Sequence, residues 1–261
     1  MKHEWRKHEK QIYNATTSPA RLTIPPQQFL ILNGSGDPNA PDFSERVSAL
    51  YTTAYAVKRL YRAGVPADAP FHDFTVYPLE GLWTQDNDGP LNKSALHYRI
   101  MIRQPEAITQ EMVTAALAQA SRKKPNPHYD AIRFETLTDG DCVQILHIGS
   151  YDDEPASFAK LDAYLQEKSL SRTTSWHREI YLSNAQRIPQ KSAKPFCASP
   201  CAQNDLPHRS NSERFFFTAV LTGELLFRTI ALLSVMTPVQ TIVKESSFYG
   251  KNTRVSETQG Y

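Results

Sequence analysis

The chain has 261 residues, with 29 Lys and Arg against 27 Asp and Glu, for a formal net charge of +2. This near balance leaves no electrostatic footprint for nucleic acid, and the length allows one large domain or two modest ones. Three cysteines, one far from the other two, make no disulfide framework, and the opening has no apolar signal region, so a reducing cytoplasm is expected.

In chain order, residues 1–20 are polar. Their basic cluster Lys2, Arg6, Lys7 and Lys10 is interrupted by acids and an aromatic, which reads as a solvated amphipathic lead-in. Arg21 to Ile24 reads as a short edge strand stopped by Pro25-Pro26, and Phe29 to Leu32 as a second strand. Gly34 to Asn39 is turn chemistry; its Gly-x-Gly has no third glycine, so a loop is expected and not a phosphate cradle. Asp42 is expected to cap a helix, with Glu45 completing a capping box. Phe43, Val47, Leu50, Ala54 and Val57 recur at helical spacing as the buried stripe. Tyr51, Tyr55 and Tyr61 lie off that stripe, where they flank the core or line a cleft. Gly64 and Pro66 end the helix.

Phe74 to Leu79 with Leu82-Trp83, and Ala95 to Arg103, read as paired strands around the turn Asp86 to Pro90. The acids of that turn lack the ligand series of a calcium loop. Thr109 is expected to cap a second helix whose apolar face is Met112, Val113, Ala116, Leu117 and Ala120. Ile132 to Leu137 and Cys142 to Ile148 read as a hairpin around Thr138-Asp139-Gly140-Asp141. Asp152 or Asp153 caps a third helix, with Pro155 in its first turn and Phe158, Leu161 and Leu165 as its core stripe.

Trp176 to Ser183 alternates with period two. Ile180 and Leu182 fall on one face, assigned to the core; His177, Glu179 and Tyr181 fall on the other. A carboxylate flanked by rings makes a floor for a cationic or polarised organic molecule; a solvated outer sheet face is the alternative. The element order gives an α+β fold in two halves, about residues 21–107 and 108–194. Each is an antiparallel sheet with helices on one face, leaving the opposite sheet faces to enclose a cleft. After about Lys194 periodicity is lost. An apolar run from Phe215 to Met236 carries Glu224 and Arg228, which make an unassisted membrane span costly. Cys197, Cys201 and His208 lack a fourth ligand, so no metal site is expected.

Several motifs, in this order, carry a family resemblance: Asn33-Gly34-Ser35-Gly36-Asp37-Pro38-Asn39, Ala49-Leu50-Tyr51, Tyr77-Pro78-Leu79-Glu80-Gly81-Leu82-Trp83, Ile102-Arg103-Gln104-Pro105, Cys142 to Pro155, and His177-Arg178-Glu179-Ile180-Tyr181-Leu182-Ser183. The block from Arg21 to about Lys194 resembles the GyrI-like small-molecule-binding proteins, in their stand-alone bacterial subfamily. The resemblance implies two repeated strand–helix–strand–strand modules about a pseudo-twofold axis, with the ligand groove between them. By motif position it implies Glu179 as the pocket carboxylate, with Trp83, Tyr181 and Tyr98 as pocket aromatics and Tyr51 as a further candidate.

Some stand-alone members open the cyclopropane ring of DNA-alkylating natural products. In that chemistry Glu179 would position water, with His147 and His177 as candidate proton carriers. The chain departs from the family pattern at Leu82-Trp83-Thr84 and Leu96-His97-Tyr98, where two large rings are lost. The resemblance therefore favours a stand-alone binder of small xenobiotics over a cyclopropyl hydrolase. A module that inhibits a large protein partner is a third class. No helix-turn-helix is read in the lead-in, so a ligand-sensing transcription regulator is not expected. No cofactor, nucleic acid or membrane is expected as a partner. The family closes soon after its last strand with a segment like Lys-Thr-Val-Leu-Arg-Ile-Pro-Val-Arg. A one-nucleotide shift after the Lys194 codon permits nearly that reading, so residues 195–261 are expected to be a frameshifted, poorly ordered tail.

Overall fold

The computed structural model describes residues 1–65, 71–86, 91–149 and 153–182, with the backbone alone for 196–203. The N-terminal segment holds β1 (Lys2–His3), α1 (Trp5–His8) and α2 (Lys10–Tyr13). Then come β2 (Ala20–Ile24), β3 (Gln27–Ser35), α3 (Pro41–Gly64), β4 (Asp73–Phe74), β5 (Leu79–Gln85) and β6 (Leu96–Gln104). The second part is α4 (Gln110–Lys123), β7 (Arg133–Leu137), β8 (Gly140–Leu146), α5 (Glu154–Glu167), β9 (Leu170–Arg172), β10 (His177–Ile180) and β11 (Phe196–Gln203). This is a mixed α/β architecture whose main sheet has the order β2-β8-β11-β10-β5-β6-β3-β7. Every pairing in that order is antiparallel.

The sheet is curled by two bent strands. Ile24 lies opposite Gly140, and Gln27 lies opposite Leu137. Both pairs keep one register, so β2–β3 and β7–β8 form a single antiparallel ribbon that turns a corner at Pro25-Pro26 and Thr138-Asp139. The prolines have no N–H to donate, which suits them to the unpaired corner. Gly140 supplies the left-handed φ of 65° there. The expected hairpin around Thr138 to Asp141 is therefore corrected: β7 pairs with β3, and β8 with β2 and β11. Turn chemistry alone does not separate a hairpin from a corner, because both use residues that leave the ladder and a glycine that takes a left-handed φ.

One sheet face carries the main core. Leu30, Leu32, Ile100 and Ile102 are fully buried against Phe43, Leu50, Ala54 and Val57 of α3 and join the cluster of Val113, Ala116 and Ala120 of α4. Each of the Leu, Ile, Val and Phe side chains among them contributes about 1.5–3 kcal/mol on burial. The helical spacing read from sequence is borne out for both helices. Thr109 caps α4, accepting from Met112 N at 3.4 Å. Asp153 is the N-cap position of α5, with Pro155 in the first turn. The capping box at Asp42 does not form. Pro41 pre-sets the helical φ, so Ala40 and not Asp42 is the N-cap of α3. Asp42 then lies in the first turn and pairs with Arg46 at 2.6 Å.

The lead-in is not a solvated helix. Trp5, Ile12 and Tyr13 are buried, and Trp5 Nε1 donates to Val76 O at 3.1 Å. Glu9 accepts from Tyr77 at 2.5 Å and lies 2.8 Å from His3 Nε2, and it also pairs with Arg103. Arg103 projects from the sheet face opposite Ile100 and Ile102, so this segment covers the reverse face. Its three apolar residues are too sparse for a helical stripe and become core only through the surface they meet. Phe196–Gln203 lies in the stretch read as a tail; its backbone forms β11 between β8 and β10. The rest of that stretch lies outside the described residues.

Candidate functional site

The site grows from the pairing of β5 with β10. His177 lies opposite Trp83 and Glu179 opposite Gly81. Side chains alternate across a strand, so His177, Glu179 and Trp83 share the face that carries the helices. Tyr181 N donates to Leu79 O at 2.9 Å, which extends the pairing past the strand end and puts Tyr181 on the same face. Gly81 is the permissive residue. A Cβ placed there would fall 2.4 Å from Trp83 Nε1. Its absence lets the indole lie back across β5 and donate to the Tyr181 hydroxyl at 3.1 Å.

The hydrogen bonds converge on one carboxylate. Tyr181 donates to Glu179 Oε2 at 2.7 Å, and His177 Nε2 lies 3.2 Å from Oε1. Glu179 is only 3% exposed, so the solvated alternative is excluded. Tyr98 packs flat over Gly34, where a Cβ would come within 2.4 Å of its ring. It meets Trp83 at 5.1 Å and the edge of Phe43 at 5.0 Å, backing the indole from the core side. Burial raises the Tyr98 phenol above its ordinary value.

These groups floor a groove of about 260 Å³. Trp83, Leu96, Phe158 and Tyr181 are its apolar walls and Glu179 and Glu154 its acids; His177 lines it beside Glu179, and Lys93 is its lysine. It opens on the helix side of the sheet, between the start of α3 and the first turns of α5. The expectation of a cleft on the helix-free faces is thus corrected: the N-terminal segment and the buried Arg178 cluster occupy that side. Phe158 stands edge-on to His177, with centroids 5.6 Å apart.

Trp83, Glu179 and Tyr181 therefore meet in one place, with Tyr98 directly behind. Tyr51 and His147 are elsewhere. Tyr51 accepts from Leu79 N at 3.1 Å and ties α3 to the start of β5. His147 is buried, with Nδ1 2.8 Å from Ser157 Oγ, and ties the end of β8 to α5. Sequence reasoning missed Glu154, Lys93 and Leu96. The spacing of Phe158 with Leu161 and Leu165 predicts a core residue; those two are buried, whereas Phe158 is half-buried and faces the groove.

It also missed the reverse of the same strand pair. Arg178 is 1% exposed. It donates through Nε to Glu80 Oε2 at 2.8 Å and through Nη2 to Gln27 at 3.3 Å. It also pairs with Asp139 and covers the Phe29 ring at 5.0 Å. Burial raises the Glu80 carboxyl, outweighing the opposing pull of Arg178. Among the described residues no group of His, Cys, Asp and Glu could hold a metal ion, and no helix is long and apolar enough to cross a membrane. The stretches read for those two possibilities, Cys197 to His208 and Phe215 to Met236, lie outside the described side chains.

A family model for the GyrI-like small molecule binding domain matches residues 18–194. A crystal structure of an uncharacterized conserved protein from Listeria innocua is 28% identical, covering 77% of this chain and 100% of its own, with a TM-score of 0.71. A hydrolase from Listeria innocua is also 28% identical with the same coverage, at a TM-score of 0.68. No match is found among curated proteins. The motifs, the fold and the matched span agree, and the chain belongs to the GyrI-like small-molecule-binding family.

Proposed function

We propose that the chain binds small amphipathic or cationic xenobiotics in this groove and sequesters them. The observation that carries the reading is a carboxylate 3% exposed at the foot of an aromatic-walled groove. Ring faces and a desolvated carboxylate both attract organic cations, and flat apolar walls tolerate varied shapes. Glu179, Tyr181 and Trp83 are the ligand contacts in this reading, and Tyr98 holds the indole. The two-module, pseudo-twofold organisation is part of it. On either side of the β5–β10 pair the strand order runs β5-β6-β3 and β10-β11-β8. Each set is a strand, a helix and two strands in chain order. Titration with a fluorescent 4-styryl-N-methylpyridinium dye tests binding: saturable binding in the native protein, weakened at least tenfold in Glu179→Gln, is expected, and equal affinity in both proteins would end the assignment.

A second reading has its own support. Glu179 sits within hydrogen-bonding distance of both Tyr181 and His177, and a solved relative is named a hydrolase. In a cyclopropyl hydrolase, water oxygen bonds to the strained carbon as the ring C–C bond breaks. The electron pair leaves onto the drug's acceptor system, and the proton from water passes to Glu179. Mass spectrometry of a cyclopropane-bearing alkylator over time separates the readings. Water-added product in excess of protein, lost in Glu179→Gln, identifies turnover; unchanged compound that co-elutes identifies sequestration.

The frameshifted reading of residues 195–261 also belongs to this proposal. The β11 position is central in the sheet, and Pro200 lies there opposite Cys142. Proline cannot donate to a ladder and is foreign to central strands. Resequencing the gene at the Lys194 codon in independent isolates tests it; an intact frame in all of them would refute the shift.

A further inference from the structure

We infer that the groove's ligand is dipolar: a cationic or hydrogen-bond-donating head lies at the Glu179 floor, and an anionic or strongly accepting group lies at the mouth beside Lys93. The inference rests on the binding reading above and adds the chemical class of the ligand. Charge in the groove is sorted by depth. Both carboxylates are deep: Glu179 is 3% exposed and Glu154 7%. Lys93 lines the same groove but is exposed, which puts its ammonium at the mouth. Leu96, Phe158 and Trp83 supply the apolar stretch between.

Among the described residues Lys93 has no ion pair or side-chain hydrogen bond that would occupy its charge. The turn that carries it is held in place. Asn92 Oδ1 accepts from Ser94 N at 3.1 Å and caps the short turn Lys93–Ala95, which leads directly into Leu96 of β6. Gln85 at the end of β5 accepts from Asn92 N at 3.4 Å, fastening the turn to the strand that carries Trp83. A lysine presented this way meets the outer end of whatever molecule stacks on Trp83. A flat cation with no acceptor would leave that ammonium with water alone, and a second positive group at the outer end would be repelled.

The test uses two dyes that differ at one end: the 4-styryl-N-methylpyridinium above, and its analogue with a carboxylate on the distal ring. In the native protein the carboxylate dye is expected to bind about threefold more tightly, the size expected for an exposed ion pair. That advantage should vanish in Lys93→Met and shrink as salt is raised. Glu179→Gln should weaken both dyes alike. Equal or weaker binding of the carboxylate dye, or an advantage that survives in Lys93→Met, overturns the inference while leaving the binding reading intact. Failure of both dyes to bind overturns both. Lys93 is exposed, so an unchanged melting temperature is expected for Lys93→Met and confirms that the comparison is made on folded protein.

Discussion

Gly81 and Trp83 face the same way on β5, and the space above the glycine is where the indole lies. Gly81→Ala would set a methyl 2.4 Å from Trp83 Nε1, so the indole must leave and its bond to Tyr181 must break. We expect a cost of about 1–3 kcal/mol in thermal or urea unfolding, typical of overpacking. Dye affinity should fall by more than that stability loss explains, because the wall itself has moved. Tyr181→Phe is the gentler test. It removes the donor to Glu179 and the acceptor for Trp83 but keeps the ring. Dye titration should show weakened binding with a melting temperature near that of the native protein. At this scale the sequence was informative: the period-two alternation from His177 to Tyr181 correctly put the three polar side chains on one face. It could not show that this face is enclosed, because enclosure comes from Phe158 and Glu154 on the preceding helix, whose packing against the strand no pattern within the strand records.

The unit that matters at the next scale is the β5–β10 ribbon, which is polar on both faces. Glu179 and its partners face the groove, while Arg178 and Glu80 lie buried behind them. The pair fixes register. A slip of one residue would carry Glu179 to the reverse face and Arg178 into the groove. Arg178→Met would leave Glu80 and Asp139 without their guanidinium, and breaking such a buried pair costs about 3–5 kcal/mol. Urea unfolding should register that loss, and the double change Arg178→Met with Glu80→Leu should recover much of it. If the single change left stability untouched, the pair would hold nothing. Sequence reading passed over Arg178 because an arginine inside an alternating strand looks like a solvated residue. Only the corner that brings Gln27 and Asp139 under it turns it into core.

The whole molecule depends on the N-terminal segment as well as on the sheet. Burial opposes ionisation of Glu9, but Arg103 together with hydrogen bonds from Tyr77 and His3 outweighs it, holding the carboxyl below its ordinary 4.5. A depressed carboxyl contributes stability that is present above its unfolded value and lost as pH falls through its folded value. Acidification below about pH 4.5 should therefore weaken the docking of this segment. Glu9→Gln should show a flatter loss of stability across that range in urea unfolding at stepped pH; an unchanged slope would exclude Glu9 as the docking group. By itself the sequence determined the helices, most strand positions, the buried stripes and the face of Glu179. Those follow from local periodicity and from the backbone limits of proline and glycine, which act over a few residues. Tertiary structure alone decided the curl of the sheet, the burial of the lead-in, the ion pair behind the site and the side on which the groove opens. Each of these joins residues far apart in the chain, and no local pattern records which distant surface a side chain will meet.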